Sequence, residues 1–302
     1  MLSINTNQAS MAAVNAINKS NASLSQSMER LATGNRINSS ADDAAGKQIA
    51  NRLQAQSDGM GVAQRNISDA TAMLQTADGM FDEMNDILGR MKDLSTQAAN
   101  GTYSPEDRSA MQSEFDELGQ EMSDMLQNTT YGGTNLFNQS ASGLFTQTGG
   151  VTFQVGSETS DQMTVNISSQ VSDLANDLGT LSAAFKDDYG TNGGDGAATG
   201  VSGTELMSAS SATTSISAIQ NAMTDIGKIQ STLGASINRL NDTATNLQSM
   251  EDNTNVAIGN IMDTDYATEA SNMSKEQVLM QTSITMLKQS NSMSGMVSSL
   301  LQ

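Results

Sequence analysis

Between Met60 and Ala99 three apolar series, each stepping by seven residues, run side by side: Ile67, Leu74, Phe81, Leu88; Met73, Met80, Ile87, Leu94; and Ala70, Ala77, Met84, Met91, Ala98. Seven residues make two helical turns, so each series is a line along one helix face, whereas a strand returns to the same face every second residue. The three lines occupy heptad positions e, d and a. A two-stranded coiled coil needs only a and d. The third line requires a second neighbour, which makes this segment the central rod of a bundle. At ~1.5 Å per residue, its forty residues span about 60 Å. The expected fold is therefore mainly α: an elongated rod of long antiparallel helices.

The rest of the chain supplies the partners. Ser104, Pro105, Glu106 and Asp107 stand as N-cap, first-turn proline and dipole-compensating acids of a second helix, whose Met111, Phe115, Leu118, Met122 and Met125 recur at helical spacing to about Asn128. That helix must fold back along the first. A third long helix starts near Thr213 and carries Ile216, Ile219, Met223, Ile226, Leu233, Ile237, Leu240 and Leu247 to about Met250, with Gln230 as the polar exception. YGGTNLF, from Tyr131 to Phe137, reads as a turn, and GGVTFQVG and DQMTVNI as two short strands of a hairpin. One short helix fits the stretch from Ser172 to Phe185. The glycines of residues 190–203 lack a phosphate-binding pattern and read as a surface loop.

The two ends carry thinner stripes. At the N-terminus Met11, Val14, Ile17, Leu24, Met28 and Leu31 follow helical spacing; at the C-terminus Leu279, Met286, Met293 and Leu300 repeat in sevens, widened by Met280, Ile284, Leu287, Val297 and Leu301. Helices with so little apolar surface do not hold alone in water. The C-terminal one has only Lys275, Glu276 and Lys288 as charges in its last 28 residues, which suits a helix enclosed by copies of itself. N- and C-terminal helices forming a coiled coil are expected. Between the N-terminal helix and the rod, Gly34 and Gly46 flank a Ser/Asn/Asp-rich turn. The expected division is a terminal coiled-coil domain of residues 1–35 and 268–302, a connector of 36–56, a helical rod of 57–137 and 205–267, and a hairpin and Gly-rich region of 138–204.

Composition narrows the function. The net charge of −19 disfavours nucleic acid and anionic membranes as partners. With no Cys and no His, thiol and imidazole catalysis and the usual zinc sites are excluded. The carboxylates Asp82, Glu83, Asp86, Glu114, Asp116 and Glu117 fall outside the apolar seam and read as solvated faces, with Asp86 and Arg90 expected as a weak surface pair. No catalytic, cofactor or metal site is expected, and the chain does not read as an enzyme. The first twenty residues lack the apolar run of a secretory signal, and no stretch is long enough to insert into a membrane. The 21 methionines lie mostly on the stripes, where they fill core space and suit an adaptable contact surface.

Several motifs in order then resemble those of bacterial flagellin: Ile4-Asn5-Thr6-Asn7, ERLATGNRINSSADDAAGKQIANRL from Glu29 to Leu53, QRN from Gln64 to Asn66, FQVG from Phe153 to Gly156, and the segment from Ile237 to Leu301. The resemblance covers residues 1–170 and 205–302. It implies a secreted structural subunit that polymerises into the flagellar filament for motility, its terminal helices forming an inner tube. It further implies unfolded export by the flagellar type III apparatus, a chaperone on the C-terminal helix, and addition at the distal tip beside filament cap and hook-associated proteins. The hook-filament junction protein, with similar termini, is the alternative. So few residues separate the hairpin from the third helix that the chain resembles a near-minimal form without a large outer domain. Recognition by a vertebrate Toll-like receptor is implied at Arg90, Leu94 and Glu114, with Gly89 and Lys92 where the family has glutamine and arginine. Leu94 also belongs to the rod's d line, where it would pack in the core.

Overall fold

The computed structural model describes residues 7–138, 143–189 and 203–300. Among these residues the chain is mainly α, with seven helices and two small antiparallel strand pairs. It divides into two compact units: Met1–Asp58 with Met250–Gln302, and Gly59–Ser249.

The first unit holds α1 (Gln8–Thr33), α7 (Tyr266–Leu300) and the ends of two longer helices, α2 (Ala44–Ala98) and α6 (Ala209–Met262). Helix α2 starts much earlier than the apolar lines suggest. Asp43 caps it, accepting from the Gly46 amide at 2.9 Å, so of the expected connector only the turn ahead of Ala44 lies outside helix. The start of α2 packs closely on that turn: a Cβ on Gly46 would meet Ile37 Cδ1 at 2.8 Å and an Asp43 carboxylate oxygen at 2.5 Å, so a larger residue would push aside the capping carboxylate and the end of the buried Ile37. Asp42 braces the turn by accepting from the Ser39 amide at 2.8 Å and from Gln26 of α1 at 2.9 Å. The α1 exit is stitched to the α6–α7 junction. Asn35 and Asp263 form an antiparallel bridge, the Arg36 amide donates to Met262 O at 2.6 Å, and the Arg36 guanidinium donates to Ile261 O at 2.7 Å.

In the second unit, α2 contributes the lines read from the sequence. All thirteen positions but Ile87 are buried, and Ile87 packs against the same core. Helix α3 (Pro105–Asn128) begins at a capping box, in which Ser104 and Asp107 each accept from the other's amide. Such a cap contributes about 1 kcal/mol. It runs antiparallel to α2, since Arg90 meets Glu114 while Arg108 donates to Ala98 O at 2.9 Å. Helix α6 is antiparallel too: Gln230 reaches Asp82 at 2.7 Å in this unit, and Asn255 meets Ser57 at 2.9 Å in the other. The α6 seam runs through Ile219, Ala222, Ile226, Ile229, Leu233, Ser236 and Leu240. Ile229, not Gln230, fills the position that looked polar. Ser236 is tolerated there because its hydroxyl donates to Thr232 O at 2.7 Å.

YGGTN is a small hairpin rather than a plain turn, with β1 (Thr130–Tyr131) paired to β2 (Thr134–Asn135). Gly132 and Gly133 have φ of 59° and 83°, the left-handed pair that a two-residue hairpin loop needs. Strands β3 (Val151–Gln154) and β4 (Gln162–Val165) form the expected hairpin, with Phe153 opposite Met163. Phe137 joins this region to the rod, its ring 5.1 Å from Phe81 and 5.5 Å from Phe145. The predicted single short helix is two, α4 (Ser168–Leu181) and α5 (Ala183–Tyr189). Asp116, expected on a solvated face, is buried instead. It accepts from Gln112 Nε2 at 2.8 Å and from the Gly203 amide at 3.1 Å, while Gln112 Oε1 takes the Leu206 amide at 2.6 Å. These side chains tie the approach to α6 onto α3. Most of the Gly-rich loop expected within residues 190–203 lies outside the described residues.

Candidate assembly faces

Helices α1 and α7 pack antiparallel along their length. Asn7 caps α1 through the Ser10 amide and also donates from Nδ2 to Ser290 Oγ at 2.9 Å. At the other end Arg30 lies 3.9 Å from the buried Glu269. Between these points α1 turns one line inward: Ala13, Ile17, Ser20, Leu24, Ser27 and Leu31, at alternating steps of four and three. Ala13, Ser20 and Ser27 are its buried members. Small residues every second turn let the two helices approach closely. From α7 the facing line is Glu269, Met273, Glu276, Met280, Ser283, Leu287 and Ser290, at the same steps.

This seam accounts for only part of the stripes expected from the sequence. Ile17, Leu24, Leu31 and Leu287 are half-buried within it. Met11, Val14 and Met28 point away, and so do Leu279, Met286 and Met293, with Met11 61% and Met286 63% exposed. The side chains of Val297 and Leu300 lie outside the described residues. Each terminal helix thus has one edge turned to the other and a second apolar line facing solvent. The line Leu279, Met286, Met293 has heptad spacing, and Val278 and Ile284 broaden it. A count of large apolar side chains overlooks Ser20 and Ser27; the signal that finds them is the step of seven from Ala13.

The receptor residues separate in a similar way. Arg90 donates from Nε and Nη2 to Glu114 Oε1 at 2.8 and 2.6 Å, joining α2 to α3 at the surface. This contact to the facing helix stands in place of the expected pairing of Arg90 with Asp86. Leu94 is 2% exposed and belongs to the core. Arg90 and Glu114 are brought together at the surface, and Leu94 is not exposed beside them.

Comparison with known proteins gives a match at each end of the chain. The family model described as the bacterial flagellin N-terminal helical region matches residues 4–142, and that described as the C-terminal helical region matches residues 216–301. The flagellin of Listeria monocytogenes is 33% identical over 300 residues, covering 99% of both chains. This chain belongs to the bacterial flagellin family. Flagellin A of Vibrio anguillarum is 29% identical over an alignment of 384 residues that covers all of both. Among solved structures, a protein of Vibrio parahaemolyticus described as a flagellar hook-associated protein matches with a TM-score of 0.53, covering 74% of this chain and all of that one. At 15% identity the likeness concerns the fold alone.

As a flagellin the chain is a structural subunit of the bacterial flagellar filament. It is a small one. Only residues 166–208 separate β4 from α6, and this leaves no room for a large outer domain. None of the described helices is long and apolar enough to cross a membrane, and the described residues contain no group of three acidic side chains placed to hold a metal ion. Hydrogen bonds from Ser104, Ser39 and Thr268 lower Asp107, Asp42 and Asp265 below the ordinary carboxylate value.

Proposed function

We propose that this flagellin polymerises through the outward lines of its two terminal helices. The observation that carries the reading is the doubled character of α7: Leu287 lies in the seam with α1, while Leu279, Met286 and Met293 face water in a single chain. Exposed apolar lines of this length mark surfaces that are covered in the working assembly. Met11, Val14 and Met28 extend the same surface on α1, and Val297 and Leu300 continue the α7 stripe in sequence. In this reading Ile17, Leu24, Leu31 and Leu287 hold the pair together and the outward residues hold neighbouring subunits. The domain scheme is a terminal assembly domain and a helical rod that carries the hairpin.

The family implies the route and the partners. The chain passes unfolded through the flagellar type III apparatus, a chaperone shields the α7 stripe beforehand, and addition takes place at the distal tip beneath a cap protein, beyond the hook-associated proteins. The product is an extracellular filament with no enzymatic role. Host Toll-like receptor recognition, if it uses the rod, engages the Arg90–Glu114 pair directly and depends on Leu94 for the shape of the surface above it.

Electron microscopy after seeding with filament fragments tests the central claim. The full chain should give long filaments, and a version lacking about 30 residues at each end should give none, because the outward lines are gone. A full chain that forms only short rings would favour the hook-filament junction reading. One that stays monomeric at high concentration would refute assembly altogether.

A further inference from the structure

The methionines are sorted between the two units. Met60, Met73, Met80, Met84, Met91, Met122 and Met163 are buried, and all belong to the Gly59–Ser249 unit. The exposed ones, Met11, Met28, Met250, Met286, Met293 and Met296, belong to the other unit; Met207 is the exception. Four of them, Met11, Met28, Met286 and Met293, stand on the outward lines of α1 and α7. The sequence contains no cysteine, so no thiol competes for an oxidant and methionine is the most readily oxidised sulfur in the molecule.

We propose that Met11, Met28, Met286 and Met293 form an oxidation-sensitive site, at which a hydroperoxide converts the unassembled chain into a form that cannot associate. The assembly half of this proposal rests on the filament reading above. In the reaction a thioether lone pair attacks one peroxide oxygen, and the S–O bond forms as the O–O bond breaks. The attacked oxygen is the one bearing hydrogen; its proton passes to the departing oxygen, which leaves as water or an alcohol, so that sulfur ends as the neutral sulfoxide, oxidised by two electrons while the peroxide is reduced by two. The product replaces a flexible apolar group with a strong hydrogen-bond acceptor. On an outward line this acceptor binds water that must be stripped away before a neighbouring subunit can close over it, so drying the contact becomes costly. The same chemistry is slow for Met84, Met91 and Met122, which no solvent-borne oxidant reaches without opening the core. Burial of the outward lines on assembly shields their sulfurs in turn. Oxidation therefore acts on free subunits and spares those already in place, and a sulfoxide-reducing enzyme restores the thioether.

The test treats the full-length chain with hydrogen peroxide and divides each sample. Peptide mass mapping should show sulfoxide at Met11, Met28, Met286 and Met293 before Met84, Met91 and Met122, and seeded assembly followed by light scattering should slow roughly tenfold. The chain carrying M11L, M28L, M286L and M293L together should assemble at the same rate before and after peroxide, and a methionine sulfoxide reductase should restore the oxidised wild type. Equal oxidation of exposed and buried methionines overturns the selectivity. Undiminished assembly of the oxidised chain, or equal loss in the leucine variant, overturns the block. If the untreated chain does not assemble, the filament reading fails and takes the block with it, while the mass map still decides the selectivity.

Discussion

Asp177 on α4 faces Asp225 and Lys228 on α6. Its carboxyl is raised above the ordinary 3.8 first by partial burial, then by the charge of Asp225 and a hydrogen bond shared with it, and further by Asp173, against an opposing pull from Lys228. The folded state therefore holds this proton more tightly than the unfolded chain does. Stability falls as pH rises from 3.8 through the folded value, and above that value the penalty is complete. The Asp177→Asn variant should melt about 1–3 °C higher than the parent at pH 7 and at the same temperature at about pH 3, as read by circular dichroism. The turn carboxylate Asp42 and the capping carboxylates Asp107 and Asp265 have the opposite sign: their stabilisation is present above 3.8 and is lost as acid titrates their depressed values. Legibility in sequence follows distance along the chain. Ser104 and Asp107 are three residues apart and could be paired on sight. Arg90 and Glu114 are 24 apart, and Asp116 finds Gly203 from 87 away, so neither pairing nor burial could be read before the helices were laid side by side.

At the scale of elements, α2 was readable because two of its three lines are made wholly of large apolar residues and the third adds Met84 and Met91 to its alanines, and each proved to be core or packed against it. The terminal pair was only half readable. Hydropathy marks Met11 and Leu24 alike, yet one faces water and the other α7, and what separates them is a line of Ala and Ser that carries no apolar signal. The two kinds of position give different phenotypes. Leu24→Asp places a carboxylate in the α1–α7 seam and should lower helix content as well as abolish assembly, because the pair itself opens. Met286→Asp leaves that seam untouched, so the far-ultraviolet circular dichroism of the monomer should be unchanged while seeded growth is lost. If Met286→Asp assembles normally, the outward line is not a subunit contact.

For the whole molecule, the balance of charge sets how readily copies meet. A chain of net −19 approaches its own image against long-range repulsion, and ionic strength screens that repulsion over about 10 Å at 0.1 M. Growth on seeds should therefore accelerate several-fold between about 0.01 and 0.15 M monovalent salt, measured by light scattering. Rates that fall with salt would mean that attraction between unlike charges dominates the contact. One further property follows from how the helices begin. Asn7 bonds the Ser10 amide, Asp43 that of Gly46, Ser104 that of Asp107, Ser208 that of Ser211, and Asp265 those of Ala267 and Thr268. In every case the acceptor and its amide are no more than three residues apart. Each start is a self-contained instruction, executable as soon as its own handful of residues is free to turn and independent of what has or has not yet appeared downstream. A chain delivered end first through a confined passage could thus set the beginnings of its five long helices in order of arrival, leaving only their faces to find one another.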